Sequence, residues 1–130
     1  MTARRILVVD DNHDSAESLA MLLNLDGNET LVAYDGVEAM QAAAAFKPDV
    51  MLVDLGLPKL NGYQVARKVR QSLSGDAVRL VALTGWDEDG CRADSEAAGF
   101  DAHFVKPIDH AALTKLLSGY ATATVATSTA

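Results

Sequence analysis

The sequence predicts a doubly wound α/β domain, a five-stranded parallel sheet with helices on both faces. Three observations carry this. Short, nearly continuous apolar runs recur along the chain, as in Ile6-Leu7-Val8-Val9, Val50-Met51-Leu52-Val53 and Val78-Arg79-Leu80-Val81-Ala82-Leu83. A strand covered on both faces reads this way because neither side meets water. Between the runs lie segments with helix-starting residues and helical spacing, so strands alternate with helices. The length of 130 residues, 49% of them apolar, suits one domain with a sizeable core. Crossovers in such a sheet are right-handed. Of the two common doubly wound orders, five strands favour 2-1-3-4-5.

The elements follow in order. Ile6–Val9 is the first strand, and it ends at the adjacent carboxylates Asp10 and Asp11. Asn12, His13, Asp14 and Ser15 supply helix-starting groups. The helix behind them carries Ala16, Leu19, Ala20, Leu22 and Leu23 as its apolar stripe and ends near Gly27. Thr30–Ala33 is a short, less apolar strand, as at a sheet edge. Asp35 and Glu38 have capping-box spacing. They open a helix expected to turn Val37, Met40 and Ala44 to the core and to stop before Pro48. Asp49–Asp54 is the central strand, and Gly56 and Pro58 prevent a helix from continuing it.

The pattern starting at Asn61-Gly62 opens a helix through Val65, Ala66 and Val69, whose Arg67, Lys68 and Arg70 read as a solvated face near its C-terminus. Val78–Leu83 is the fourth strand, closed by Thr84-Gly85. A short, weakly apolar helix over about Cys91–Ala98 follows, with Gly99 as its cap. Asp101–Val105 is the fifth strand, ended by Lys106-Pro107. Asp109 caps the last helix, where Ala112, Leu113, Leu116 and Leu117 form the stripe. This gives a domain over residues 1–119, followed by a flexible tail or linker remnant over 120–130.

The bulk chemistry narrows the function. The formal net charge is -7, which argues against binding nucleic acid directly and against attraction to anionic lipid. No stretch is long and apolar enough to insert into a membrane, and no signal peptide is visible. Cys91 is the single cysteine, so an intrachain disulfide is excluded, in keeping with a reducing cytoplasm. There is no GxxxxGK[ST] loop for a nucleoside triphosphate and no GxGxxG for a dinucleotide.

In the 2-1-3-4-5 order the switch point lies between the first and third strands, the two that end in carboxylates. Asp10, Asp11 and Asp54 are therefore expected in one crevice. Three carboxylates there raise one another's pKa unless a cation intervenes. Oxygen-only ligands suit Mg2+, with Mn2+ as the alternative, and magnesium usually shares such a site with phosphate oxygens. Asp54 is the candidate nucleophile for a phosphoryl group. Thr84 offers a hydroxyl donor and Lys106 a positive charge at neighbouring strand ends. Read singly, that Thr satisfies backbone and that Lys is a solvated side chain. Their joint placement at one sheet edge favours the phosphate reading.

With these residues in view, the chain resembles the receiver domain of bacterial two-component response regulators, a CheY-like, flavodoxin-like fold. The motifs are Asp10-Asp11, Asp54-Leu55-Gly56-Leu57-Pro58 with Asn61-Gly62, Thr84-Gly85, Gly99-Phe100-Asp101 and Lys106-Pro107. The resemblance spans about Arg4 to Leu117. It implies that Asp54 accepts phosphate from a histidine kinase or a histidine phosphotransfer domain. It implies that Asp10 and Asp11 organise magnesium, with the backbone carbonyl of Gly56 as a further ligand, and that Thr84 and Lys106 contact the phosphoryl oxygens. It implies further that a downstream protein target reads the phosphorylated state.

One departure concerns the switch. Where the family often has Tyr or Phe three residues before the Lys, this chain has His103, a smaller ring that titrates. Trp86 stands beside the expected metal site, either limiting water or covering the sheet end. The Leu-Thr-Gly-Trp and Gly-Phe-Asp-Ala-His runs favour a receiver cut from a hybrid histidine kinase over a stand-alone one. The competing functions are a pseudo-receiver that only binds protein, and an aspartyl-nucleophile phosphatase. Against the phosphatase, Gly56 stands where a second acid is needed.

Overall fold

A computed structural model describes residues 4–55, 62–71, 78–84, 99–105 and 109–118. Five parallel strands form one sheet in the order β2-β1-β3-β4-β5. They are β1 (Arg5–Val9), β2 (Glu29–Ala33), β3 (Val50–Asp54), β4 (Arg79–Thr84) and β5 (Ala102–Val105). The helices among the described residues are α1 (His13–Leu25), α2 (Gly36–Phe46), α3 (Gly62–Gln71) and α4 (His110–Ser118). The sheet, its order and the edge position of β2 are as the sequence predicts. The expected helix at Cys91–Ala98, Trp86, Gly56, Lys106 and the tail lie outside the described residues.

Strand alternation divides the core into two layers. Leu7, Val9, Met51, Val53, Leu80 and Ala82 pack with residues of α2 and α3. Ile6, Val8, Val50, Leu52, Val81 and Leu83 pack with residues of α1 and α4. Every one of these twelve strand residues is fully buried, which is why the strands read as continuous apolar runs. The short side chains Ala39 and Ala43 are also buried, so α2 rides close to the sheet.

Four details of the helices differ from the sequence reading. In α1 the buried positions are Ala16, Ala20 and Leu23, and Leu22 is exposed. In α2 they are Gly36, Ala39 and Ala43, with Met40 packed at the margin and Val37 and Ala44 exposed. In α4, Leu113 and Leu117 are buried and Ala112 is exposed. One residue along a helix is a rotation of about 100°, so an apolar neighbour of a buried residue readily faces water. The fourth difference is Arg70. Instead of sharing the solvated face of Arg67 and Lys68, it reaches from α3 to carbonyls of the turns before β4 and β5. Its guanidinium donates to Val78 O at 2.6 Å and to Gly99 O at 3.0 and 2.7 Å, and pairs with Asp101 Oδ2 at 2.7 Å. That same oxygen accepts from Leu80 N–H at 2.9 Å.

Candidate functional site

The site is set by register. Val9 pairs with Val53 across β1 and β3, so Asp10, just beyond Val9, and Asp54, just beyond Val53, reach the same edge of the sheet. Asp54 pairs in turn with Leu83 of β4, and Thr84 follows at that edge, itself paired with Val105. The carboxyl ends of the three central strands thus carry Asp10, Asp54 and Thr84 side by side.

Asp10 is only 4% exposed and Thr84 7%, so both are desolvated polar groups. Asp10 is held by its own backbone and side chain. Its N–H donates to Ala33 O at 3.1 Å, and its Oδ1 accepts from Asn12 N–H at 3.0 Å. Asn12 caps α1, its Oδ1 accepting from Ser15 N–H at 3.0 Å. Asp11 lies between them and is exposed.

One carboxylate oxygen each from Asp10, Asp11 and Asp54 lie within 4.8 Å of one another. The structure therefore brings the three acids into one cluster, with Asp10 buried, Asp54 half-buried and Asp11 facing water. An all-oxygen, multiply charged set this tight, open on one side, fits a hard divalent cation such as magnesium, which binds one or two carboxylates and keeps several waters.

Asp54 is placed by a feature that the sequence reading took only for a helix start. Gly62, the first residue of α3, packs directly on the Asp54–Leu55 backbone. A Cβ at Gly62 would lie 2.7 Å from both Asp54 O and Leu55 Cα. Only a residue without a side chain lets α3 approach so closely, and Gly62 N–H donates to Leu55 O at 3.2 Å. The signal was the Asn61-Gly62 pair, but capping and close approach look alike in one sequence.

His103 lies in β5, paired with Ala82 of β4. Its side chain is half-buried, with both ring nitrogens shielded from solvent. Ala102 and Phe104 pack against the α1–α4 layer, so by alternation His103 belongs to the opposite face. Sequence reasoning also passed over Tyr34. Its ring stacks on His13 with centroids 3.7 Å apart and planes 16° apart, and its hydroxyl donates to Glu17 at 2.9 Å. That bond, then burial and the charges of Glu17 and Glu38, push the Tyr34 phenol above its ordinary pKa.

Known proteins share this fold. A chemotaxis protein of Vibrio cholerae, CheY4, superposes with a TM-score of 0.86 at 25% identity, covering 92% of this chain and 100% of that one. The receiver domain of the sensor histidine kinase PA1611 from Pseudomonas aeruginosa, whose structure has a magnesium ion coordinated in the active site cleft, superposes with a TM-score of 0.83 at 29% identity. It covers 92% of this chain and 98% of that one. The response regulator MprA of Mycobacterium ulcerans is 38% identical over 114 residues, 88% of this chain and 47% of that protein. The chain thus spans about half the length of the curated relatives it matches. With the response regulator receiver domain model matching residues 6–118, the chain belongs to the response regulator receiver domain family.

Proposed function

We propose that this chain is the phosphoacceptor of a two-component phosphorelay, with Asp54 taking the phosphoryl group from a phosphohistidine of a histidine kinase or histidine phosphotransfer domain. The observation that carries the reading is the cluster of Asp10, Asp11 and Asp54 at one sheet edge, their oxygens within 4.8 Å. An Asp54 oxygen attacks phosphorus. The new P–O bond forms as the P–N bond to the donor imidazole breaks, and the donor ring, already protonated on its other nitrogen, keeps that electron pair and leaves as neutral imidazole.

Asp10 and Asp11, with the Gly56 carbonyl by resemblance, are the residues that would hold magnesium beside Asp54. When bound, the cation offsets the charge of the acids and of the phosphoryl oxygens. Thr84 supplies a hydroxyl donor from a nearly dry position, and Lys106 supplies the counter-charge that the same chemistry needs. Readout to a downstream protein centres on Thr84 and the segment that follows it, with a weaker contribution from His103.

In this reading residues 1–119 are the working domain and 120–130 a tail or linker. The location is the cytoplasm, or the cytoplasmic part of a hybrid kinase. Among the described residues no helix is long and apolar enough to cross a membrane. Exposure to acetyl phosphate with magnesium, followed by intact mass measurement, tests the chemistry. The parent chain gains one phosphoryl group, chelation prevents it, and Asp54→Ala gains none. An equal yield in Asp54→Ala removes Asp54 from the role and leaves a pseudo-receiver or another acceptor.

A further inference from the structure

Asp11 is the one member of the acidic cluster that the fold does not hold directly. It is exposed, as are all residues from 11 to 15, and among the described residues its carboxylate accepts no hydrogen bond. Its position is set by the backbone of the turn between β1 and α1. Helix ends fray where few contacts restrain them. The bonds of Asn12 to Asp10 and Ser15 tie this turn only to itself and to β1, so a cation ligand there gains from a further restraint on the helix side.

Tyr34 supplies that restraint. Its backbone is fixed twice over. Asp10 N–H bonds the carbonyl of the preceding Ala33, and Tyr34 N–H donates to Glu38 Oε1 at 2.9 Å. Glu38 is in turn tied by its own N–H to Asp35 Oδ1 at 2.8 Å. From this base the ring covers the first turn of α1. It stacks flat on His13, and its hydroxyl reaches Glu17. His13 and Glu17 are four residues apart, so they share one face of the helix. One aromatic ring thus grips α1 at two successive turns, beginning two residues after Asp11.

We propose that Tyr34 is a positioning residue for Asp11, holding the Asp10–Asn12 turn in the geometry that a divalent cation uses. The inference rests on the cation-site reading above and adds to it the element that presets the site. The grip consists of ring stacking plus one hydrogen bond, so the two contributions separate by substitution. Tyr34→Ala removes both. Tyr34→Phe keeps the stack. His13→Ala removes the stack from the other side, at an exposed position. His13→Phe restores a flat partner.

The test combines amide exchange in the cation-free protein with magnesium titration of the same variants, each checked for a cooperative melt. Tyr34→Ala and His13→Ala speed exchange at the Asn12 and Ser15 amides, which bond Asp10 Oδ1 and Asn12 Oδ1, and weaken magnesium binding by about tenfold, the range for loss of a group that orients a metal ligand. Tyr34→Phe loses about threefold, as for one ordinary hydrogen bond. His13→Phe returns both readouts to those of the parent. If Tyr34→Ala fails to fold, His13→Ala against His13→Phe decides alone. Unchanged exchange in His13→Ala overturns the proposal. So does a lowered melting temperature with unchanged magnesium affinity, which would make the ring merely structural. A parent chain that binds no magnesium overturns the cation-site reading instead, and the exchange comparison then decides the grip by itself.

Discussion

Replacing Asp54 by Asn is expected to make the cation-free domain more stable and to remove most of its response to magnesium. The change keeps the shape of the side chain and deletes one charge from a cluster whose oxygens lie within 4.8 Å. Two unit charges at that distance repel by about 3.5 kcal/mol at an effective dielectric of about 20, and by about 0.9 kcal/mol in bulk water. Asp10 is only 4% exposed, so the Asp10–Asp54 pair lies toward the upper figure before salt screening lowers it. A gain of about 1–2 kcal/mol is expected in chelator. Magnesium at about a hundred times its dissociation constant should stabilise the parent by about 2.7 kcal/mol, and Asp54→Asn by far less. Urea unfolding with and without magnesium measures both, read as midpoint shifts at constant slope. An Asp54→Asn chain less stable than the parent in chelator would mean that the interactions holding the Asp54 carboxylate outweigh repulsion within the cluster, and that repulsion is not what the cation relieves.

Gly62→Ala should cost about 1–3 kcal/mol, because its Cβ meets backbone that cannot swing aside; urea unfolding that matches the parent refutes the close approach. Arg70→Met should cost about 2–3 kcal/mol by stranding the Val78 and Gly99 carbonyls and Asp101, and a loss under about 0.5 kcal/mol would show the latch to be ornamental. Tyr34 should deprotonate at higher pH than an ordinary tyrosine because its hydroxyl donates to Glu17. Its neutral form is the one the fold favours, so that contribution to stability is complete below the ordinary tyrosine range and is lost as pH climbs through the raised value. Ultraviolet phenolate titration should show one late-titrating tyrosine that moves earlier in Glu17→Gln; identical curves count against the hydrogen bond.

The sheet was legible because its strands are dry on both faces. Leu7 and Ile6 are equally apolar although they face opposite layers, and only a doubly covered strand tolerates that. The order 2-1-3-4-5 then placed Asp10 and Asp54 at one edge without reference to any helix. The helix faces were harder. α2 contains Ala39, Ala42, Ala43, Ala44 and Ala45, so several stripes fit equally well, and packing chose the smallest side chains rather than Val37. In α1 the run Met21-Leu22-Leu23 offers three apolar neighbours, of which only Leu23 is buried. Arg70, Gly62 and Tyr34 escaped for a different reason. Each acts on residues distant in the chain, on Gly99, Asp54 and His13, and no local pattern encodes a partner that only the fold brings near.

The three carboxylates are held by three different means, and this orders what each substitution should do. β1 passes through α1 to β2, whereas β3 passes through α3 to β4. The connections after β1 and β3 therefore part company and leave a crevice between neighbouring strand ends. Asp54 is fixed by the ladder to Leu83 and by Gly62 against its backbone. Asp10 is fixed by Ala33 and Asn12. Asp11 depends on a turn gripped from the side by Tyr34. In the proposed reading, two acids fixed by the sheet and a third held through the Tyr34 grip would offer a cation a site that is already ordered. A loose triad would spend affinity on ordering itself. Apolar residues at these strand ends would give a more stable edge. That the fold carries three mutually repelling charges there is the kind of local conflict that proteins keep at working sites.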